Sequence, residues 1–82
     1  MQPKYLIKNL TEREKKVLYL VAQGYSNTKV ASILYFGVDT IKADIKSILK
    51  KLSANNSAEA VGIAYRGGVF DKSLIEYFEG KI

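Results

Sequence analysis

Residues 40–52, TIKADIKSILKKL, combine apolar side chains at α-helical spacing with lysines at the same spacing on the opposite side. Successive residues turn by about 100° around a helix axis, so residues three and four positions apart share a face. Drawn as a helical wheel, the segment has a core side formed by Ile41, Ile45, Ile48, Leu49 and Leu52. The opposite side is formed by Lys42, Ala43, Lys46 and Lys50, with Asp39 at the N-terminal end and Ser47 on the flank. A chain with this segment must bury one side of a helix and expose a row of positive charge on the other.

The row of lysines is unfavourable for an isolated helix, because like charges four residues apart cost roughly 0.2–0.5 kcal/mol per pair. One interpretation is a solvated polar face with no partner. The other is a polyanionic partner, since phosphates would convert the repulsion into attraction and a major groove about 12 Å wide admits a helix. The placement of charge favours nucleic acid, because residues 40–52 hold four lysines and one aspartate, whereas the segment from Gly67 onward holds more acids than bases.

The chain of 82 residues contains neither cysteine nor histidine. Disulfides, thiolate chemistry, His-ligated zinc and an imidazole base are therefore excluded, and we expect no cofactor and no metal. Glu12 and Glu14, like Glu76 and Glu79, lie in polar stretches and are interpreted as solvated helix faces, so we expect no enzyme. The length predicts a single domain over residues 1–82.

The hydropathy pattern shows no apolar run near the ~18 residues that a membrane span requires. The first ten residues, MQPKYLIKNL, also lack the apolar stretch and the cleavage site of a signal peptide. We therefore expect a cytoplasmic protein that makes no contact with a membrane.

Local signals near the N-terminus define two helices. Thr11 opens the stretch TERE, the pattern of a capping box with Glu14. Gly24 follows the apolar residues of this first helix, where a left-handed C-terminal cap is expected. Ser26 or Asn27 can cap a second helix.

The remaining signals predict three further elements and complete an all-α fold. The third helix is expected from about Val38 to Leu52, after a short connector that ends at Gly37. Ser57 can cap a fourth helix that runs to about Arg66, and Asp71 can cap a fifth helix or a single turn. The second and third helices are separated by only a few residues, a spacing that fits a helix-turn-helix.

Three segments of the chain resemble the LuxR-type (GerE-like) DNA-binding domain: LTEREKKVLYLVAQGYSNTKVASIL, TIKADIKSILKKL and AEAVGIAYRGGVF. The family's L-T-x-R-E motif occurs as Leu10, Thr11, Arg13 and Glu14, and its G-x-S-N motif occurs as Gly24, Ser26 and Asn27. Its T-V-K motif corresponds to Thr40, Ile41 and Lys42. Two shorter motifs follow, K-L as Lys51 and Leu52 and A-V as Ala60 and Val61. The resemblance covers residues 10–70 and leaves residues 71–82 as a C-terminal extension.

The resemblance implies a four-helix domain whose third helix reads the major groove through Lys42, Ala43 and Lys46. It also implies backbone contacts at the start of the second helix and at Thr40, and a homodimer formed through the fourth helix. The resemblance and the helical wheel of residues 40–52 together predict the residues that contact DNA: Ser26, Asn27, Thr28, Lys29, Asp39, Thr40, Lys42, Ala43, Lys46, Ser47 and Lys50. The predicted dimer contacts are Ala58, Val61, Ala64 and Tyr65.

The chain departs from the family pattern at four positions. Asp44 stands where a histidine is usual, and an acid near a phosphate would be repelled, although the wheel places Asp44 off the row of lysines. Ser57 stands where an arginine is usual, and Lys29 stands where an acid is common. Gly37 replaces the usual serine cap of the third helix, at a cost of a few tenths of a kcal/mol. DNA binding is still expected, but an inherited preference for one DNA sequence is not.

Two functions compete for this sequence. The leading hypothesis is a stand-alone transcription regulator that binds double-stranded DNA as a homodimer. The rival is a protein-interaction module that pairs with another transcription regulator through its fourth and fifth helices and no longer reads DNA. Asp44, Ser57 and the amphipathic tail SLIEYFEG favour the rival.

The aromatic and apolar residues outside the wheel leave one alternative open. Leu74, Ile75 and Phe78 of the tail either cover the first helix of their own chain or take part in a dimer. The tyrosines Tyr19, Tyr35 and Tyr65 are interpreted as half-buried edges of the core.

Overall fold

A computed structural model of the protein describes residues 9–82, and within that range the chain forms helices and no strands. The helices are α1 (Glu12–Ala22), α2 (Asn27–Leu34), α3 (Val38–Leu52), α4 (Ser57–Arg66) and α5 (Lys72–Phe78). The expected all-α fold is confirmed. Residues 1–8, most of the segment inspected for a signal peptide, lie outside the described residues. None of the described helices combines the length and the apolar character needed to cross a membrane.

The first helix begins at the predicted capping box. The Thr11 hydroxyl accepts a hydrogen bond from the Glu14 amide at 3.0 Å, and the Glu14 carboxylate accepts one from the Thr11 amide at 2.9 Å. Gly24 follows the end of α1 with φ of +94°, a conformation that a side chain would make unfavourable. Both ends of α1 are therefore determined by residues that the sequence pattern had indicated.

Three other helices also begin after a polar residue that caps the first turn, and one of these caps differs from the prediction. Ser26 caps α2 and Asp71 caps α5, each accepting from an amide three residues later. The cap of α4 is Asn56, whose side-chain oxygen accepts from the Glu59 amide at 2.8 Å. The prediction of Ser57 as this cap is wrong by one position, because Ser57 already forms the first residue of the helix.

The hydrophobic core lies where α1 packs against α2, α3 and α4, and where α2 and α4 pack against α3. Its largest fully buried side chains come from the first three helices: Leu20, Ile41, Ile48, Leu52, Val17 and Val30. From α4, the core receives the fully buried Ala60 and Ala64 together with Ile63. The core side of the α3 wheel is thus confirmed, with Ile45 and Leu49 partly buried at its margin.

The C-terminal helix α5 packs against α1 of the same chain. Leu74 and Phe78 are buried, and the Phe78 ring stacks on the Tyr19 ring with centroids 5.3 Å apart and planes inclined by 7°. The Lys16 ammonium of α1 lies 3.8 Å from the centroid of the Tyr77 ring of α5. The tail therefore covers its own first helix through Tyr77 and Phe78. Leu74 is buried as well, whereas Ile75 remains 46% exposed.

The burial of the three tyrosines agrees with the prediction for one of them and differs from it for two. Tyr19 is partly buried, but Tyr35 is 93% exposed and Tyr65 is 73% exposed, so the half-buried assignment is wrong for both. Tyr35 follows the last turn of α2 in a left-handed conformation with φ of 61°, rather than lying on the inner face of that helix. Tyr65 lies on the outer side of α4, directly after the fully buried Ala64.

The contact of α5 with α1 predicts a clear difference between two apolar residues of α5. Phe78→Ala should lower the free energy of unfolding by about 3 kcal/mol or more, because it leaves a cavity beneath Tyr19. Ile75→Ala removes an exposed side chain of the same helix and is the control, with an expected change below ~1 kcal/mol. Urea unfolding followed by circular dichroism measures both, and equal decreases in the two variants would contradict the packing described here.

Candidate nucleic-acid interface

Helix α3 presents its lysines to solvent. Lys42, Lys46 and Lys50 are exposed on one side of the helix, and so is Ala43 between them. Within residues 9–82, no carboxylate forms a salt bridge with any of these three ammonium groups. The exposed face of α3, defined here as Lys42, Ala43, Lys46 and Lys50, is therefore an uncompensated row of positive charge.

Helix α2 and the turn after it hold α3 in this orientation. Residues 35–37 form the connector, in which the Phe36 amide donates to the Ala31 carbonyl at 3.0 Å. Gly37 is the N-cap of α3 and contributes no side-chain hydrogen bond, as its lack of a side chain requires. The first turn of α2 carries three further exposed candidates, Ser26, Thr28 and Lys29, while Asn27 is half-buried. At the start of α3, Asp39 is exposed and Thr40 is half-buried.

A second side of α3 faces α1 through an ion pair. The Arg13 guanidinium donates two hydrogen bonds to the Asp44 carboxylate, from Nε at 2.7 Å and from Nη2 at 2.8 Å. The Asp44 side chain is only 8% exposed. Asp44 is therefore a neutralised contact between two helices, and its negative charge is shielded from the exposed face of α3.

The same side of α3 also holds the buried carboxylate of Glu14. This carboxylate accepts from the Ser47 hydroxyl at 2.8 Å and from the Lys51 ammonium at 2.7 Å, in addition to the Thr11 amide. Glu14 is only 4% exposed, so its interpretation as part of a solvated face is wrong. The physical reason is that α3 supplies two donors that compensate the burial of the charge.

These contacts shift the ionisation of two groups. Burial by itself raises the pKa of the Glu14 carboxyl, but hydrogen bonds from Lys51, the Thr11 amide and Ser47 together hold that pKa below its ordinary value. The hydrogen bond to Asp44 and the charge of Asp44 raise the pKa of the Arg13 guanidinium. Both groups therefore remain charged at neutral pH.

Two predicted site residues are engaged inside the domain. Ser47 has its hydroxyl directed to Glu14, to which it donates a hydrogen bond, rather than pointing away from the domain. Ala64, assigned from the sequence to a dimer contact, has no exposed surface in the folded chain. The remaining dimer candidates, Ala58, Val61 and Tyr65, follow one another on α4 at helical spacing. Ala58 and Tyr65 are exposed, and Val61 is half-buried.

Sequence reasoning missed the set of charged residues that join α1 to α3. Arg13 and Asp44 are 31 positions apart in the chain, and Glu14 and Lys51 are 37 apart. A partial signal was present, because Glu14 precedes the buried Val17 by three residues and Leu18 by four, which places it on the core side of α1. A polar residue on an apolar face indicates a buried partner, but its identity requires the fold.

A short helix, a tight turn and a second helix that exposes cations define the helix-turn-helix class of DNA-binding proteins. Residues 8–64 match GerE, described as bacterial regulatory proteins of the luxR family. The chain therefore belongs to the luxR family, whose members are transcription regulators with a helix-turn-helix DNA-binding domain.

Individual relatives agree with this assignment. The chain is similar to the response regulator protein VraR of Staphylococcus aureus, Staphylococcus saprophyticus subsp. saprophyticus and Staphylococcus epidermidis, with 39% identity over 61 residues in each case. The matched region covers 74% of this chain and 29% of each relative. The matched part of the chain thus corresponds to less than a third of the length of these proteins.

The buried Glu14 carboxylate predicts a stability difference that depends on pH. Glu14→Gln should lower the free energy of unfolding at pH 7 by about 1–3 kcal/mol, because Lys51 is left without its ionic partner. The folded pKa of Glu14 lies below the unfolded value of about 4.3, so its contribution is complete above that pH and is lost as the pH falls through the folded pKa. The difference between wild type and variant should therefore shrink below about pH 4.

Glu12 provides the matched control, because it belongs to the same first turn of α1 but its side chain is 79% exposed. Glu12→Gln should change the free energy of unfolding by less than ~0.5 kcal/mol across this pH range. Urea unfolding measured between about pH 3 and pH 7 gives both curves. A constant deficit for Glu14→Gln at every pH would contradict the assigned role of its charge.

Proposed function

We propose that the protein binds double-stranded DNA as a homodimer and inserts the exposed face of α3 into the major groove. The observation that carries this proposal is the row of Lys42, Lys46 and Lys50, which the fold turns outward without a carboxylate partner among residues 9–82. Phosphates would relieve the repulsion within this row. In this proposal residues 10–70 form the DNA-binding unit and residues 71–82 are an extension that supports α1.

The residues of α3 divide into readers of bases and contacts to the backbone. Lys42 and Lys46 can donate to guanine O6 and N7, while Ala43 offers an apolar contact to a thymine methyl. Asp39, exposed beside them, can accept from a cytosine amino group. Lys50, nearer the C-terminal end of the helix, is assigned to a phosphate.

A second set of contacts is proposed at the start of α2. Amides at a helix N-terminus and short polar side chains are suited to phosphate oxygens. The proposed backbone contacts are Ser26, Asn27, Thr28, Lys29 and Thr40. Ser47 is omitted from the proposed contacts because its hydroxyl proton is used by Glu14.

The proposed dimer uses the outer face of α4, formed by Ala58, Val61 and Tyr65. These side chains are related by three and four residues and lie on one side of the helix, away from the buried Ala60 and Ala64. A two-fold dimer would place two copies of α3 in successive major grooves, about 34 Å apart along the duplex. Ala64 is not part of this proposed surface.

The lysine row predicts distinct effects of three substitutions on DNA binding. The logarithm of the binding constant should fall with the logarithm of the salt concentration, with a slope of about −0.9 for each phosphate neutralised. Lys50→Ala should weaken binding to all sequences alike. It should also reduce the magnitude of this slope by about 0.9, the contribution of one phosphate. Lys42→Ala and Lys46→Ala should also reduce the preference for the selected site, by roughly 1–3 kcal/mol for each hydrogen-bonded base that is no longer read.

Lys72 is the control for these variants, because its side chain is 90% exposed and it belongs to α5 rather than to α3. Fluorescence anisotropy with a site selected from a random duplex pool, and with an unrelated duplex, measures affinity and specificity over a range of salt. If Lys42→Ala, Lys46→Ala and Lys50→Ala all bind as Lys72→Ala does, α3 is not the DNA-reading helix.

The α4 surface predicts the effect of a new negative charge at Ala58. Ala58→Glu should leave the monomer folded, since an acid in the first turn of a helix is favourable. It should weaken the dimer, because it places two like charges at a two-fold interface. Ser73→Glu is the matched control, since Ser73 occupies the same position in the first turn of α5.

Light scattering of the protein bound to a duplex with two half-sites counts the copies per DNA. The wild type and Ser73→Glu should bind as two copies, and Ala58→Glu should bind predominantly as one. Absence of the second copy in both variants, or in neither, would count against α4 as the interface. A strict monomer that ignores DNA but binds another regulator would favour the rival function, a protein-interaction module.

A further inference from the structure

The guanidinium of Arg13 is held from two directions. In its plane, Nε and Nη2 donate to the buried Asp44 carboxylate. On its face, the Phe36 ring centroid lies 4.9 Å from the guanidinium carbon, within the range of a cation–π contact. A side chain fixed both in plane and on one face has little rotational freedom left, so little further entropy is lost when it binds a ligand.

Most of the donors on this group are still available. An arginine side chain carries five N–H hydrogens, and Asp44 accepts only two of them. No other acceptor for Arg13 is present among residues 9–82, although the side chain of Arg13 is 45% exposed. The planar fork of an arginine suits phosphate oxygens, to which it can donate two parallel hydrogen bonds.

The position of the Arg13 guanidinium beside α3 adds a second argument. Phe36 directly precedes Gly37, the N-cap of α3, and Asp44 lies in the N-terminal half of the helix. Thr40, already proposed as a backbone contact, lies four residues before Asp44 and therefore on the same side of α3. The guanidinium thus lies beside the N-terminal half of α3, the part that the proposed function inserts into the major groove. The sugar-phosphate backbone borders the groove at this point.

We propose that Arg13 of α1 is a phosphate-binding residue, positioned by Asp44 and Phe36, that extends the DNA interface beyond the helix-turn-helix. This inference rests on the proposed DNA binding and adds one contact to it. Asp44 lies behind the guanidinium and is buried, so a phosphate meets the N–H groups rather than the carboxylate. An ion pair that serves only to join α1 to α3 is the competing explanation.

The experiment separates a phosphate contact from a purely structural pair. The double variant Arg13→Gln/Asp44→Asn removes one positive and one negative charge, so the net charge of the protein is unchanged. For a phosphate contact, the salt slope should fall by about 0.9, and binding near 0.1 M salt should be weaker by about eightfold. The ratio of affinities for the selected site and an unrelated duplex should stay as in the wild type, because a phosphate contact carries no base information.

A folded double variant that retains the wild-type slope overturns the inference and leaves the pair as a structural link. If this variant does not fold, Arg13→Met/Asp44→Leu replaces it, since apolar substitution of a buried ion pair is often neutral or stabilising, and the same two outcomes apply. Lys50→Ala is measured in parallel. If Lys50→Ala lowers the slope and the double variant does not, only the Arg13 contact fails. If Lys42→Ala, Lys46→Ala and Lys50→Ala all bind as Lys72→Ala does, the proposed function and this inference fail together.

Discussion

The buried carboxylate of Glu14 is the group on which the orientation of α3 against α1 depends. It accepts hydrogen bonds from the start of its own helix and from two residues of α3, Ser47 and Lys51. Any shift of α1 against α3 would leave this charge buried without its donors, at a cost of several kcal/mol. The adjacent Arg13 adds a second charged contact with α3, through Asp44. Two neighbouring residues of α1 therefore hold α3 by charged contacts, in addition to the apolar contacts of α3 with the core.

Helix α3 has three sides with separate tasks. One side, with Ile41, Ile48 and Leu52, is buried in the core. A second side, with Asp44, Ser47 and Lys51, is bonded to α1. The third side carries the lysine row and meets no other part of residues 9–82 through a salt bridge. Because two sides are held by the domain, the third is a rigid surface, as the proposed contact with the major groove would require.

Patterns within a single helix could be predicted from the sequence, and contacts between helices could not. The capping box at Thr11, the bounds of α3 and the outward direction of Lys42, Lys46 and Lys50 follow from local spacing, and the structure agrees. The burial of Glu14 and Asp44 depends on donors more than thirty positions away, so a wheel drawn for one helix has no information about them. Ala64 failed as a dimer candidate for a related reason, since a small apolar residue suits either a core or an interface. Phe78 shows the opposite case, where an amphipathic tail found its partner in its own chain.

The row of like charges on α3 gives the free protein and the proposed complex with DNA opposite responses to ionic strength. Dissolved ions screen the mutual repulsion of the three ammonium groups, so added salt should favour the folded, unbound domain. The same ions compete with the protein for the duplex and favour dissociation. A rise in electrolyte concentration would therefore increase the folded fraction of this protein and decrease the fraction bound to DNA in the proposed complex.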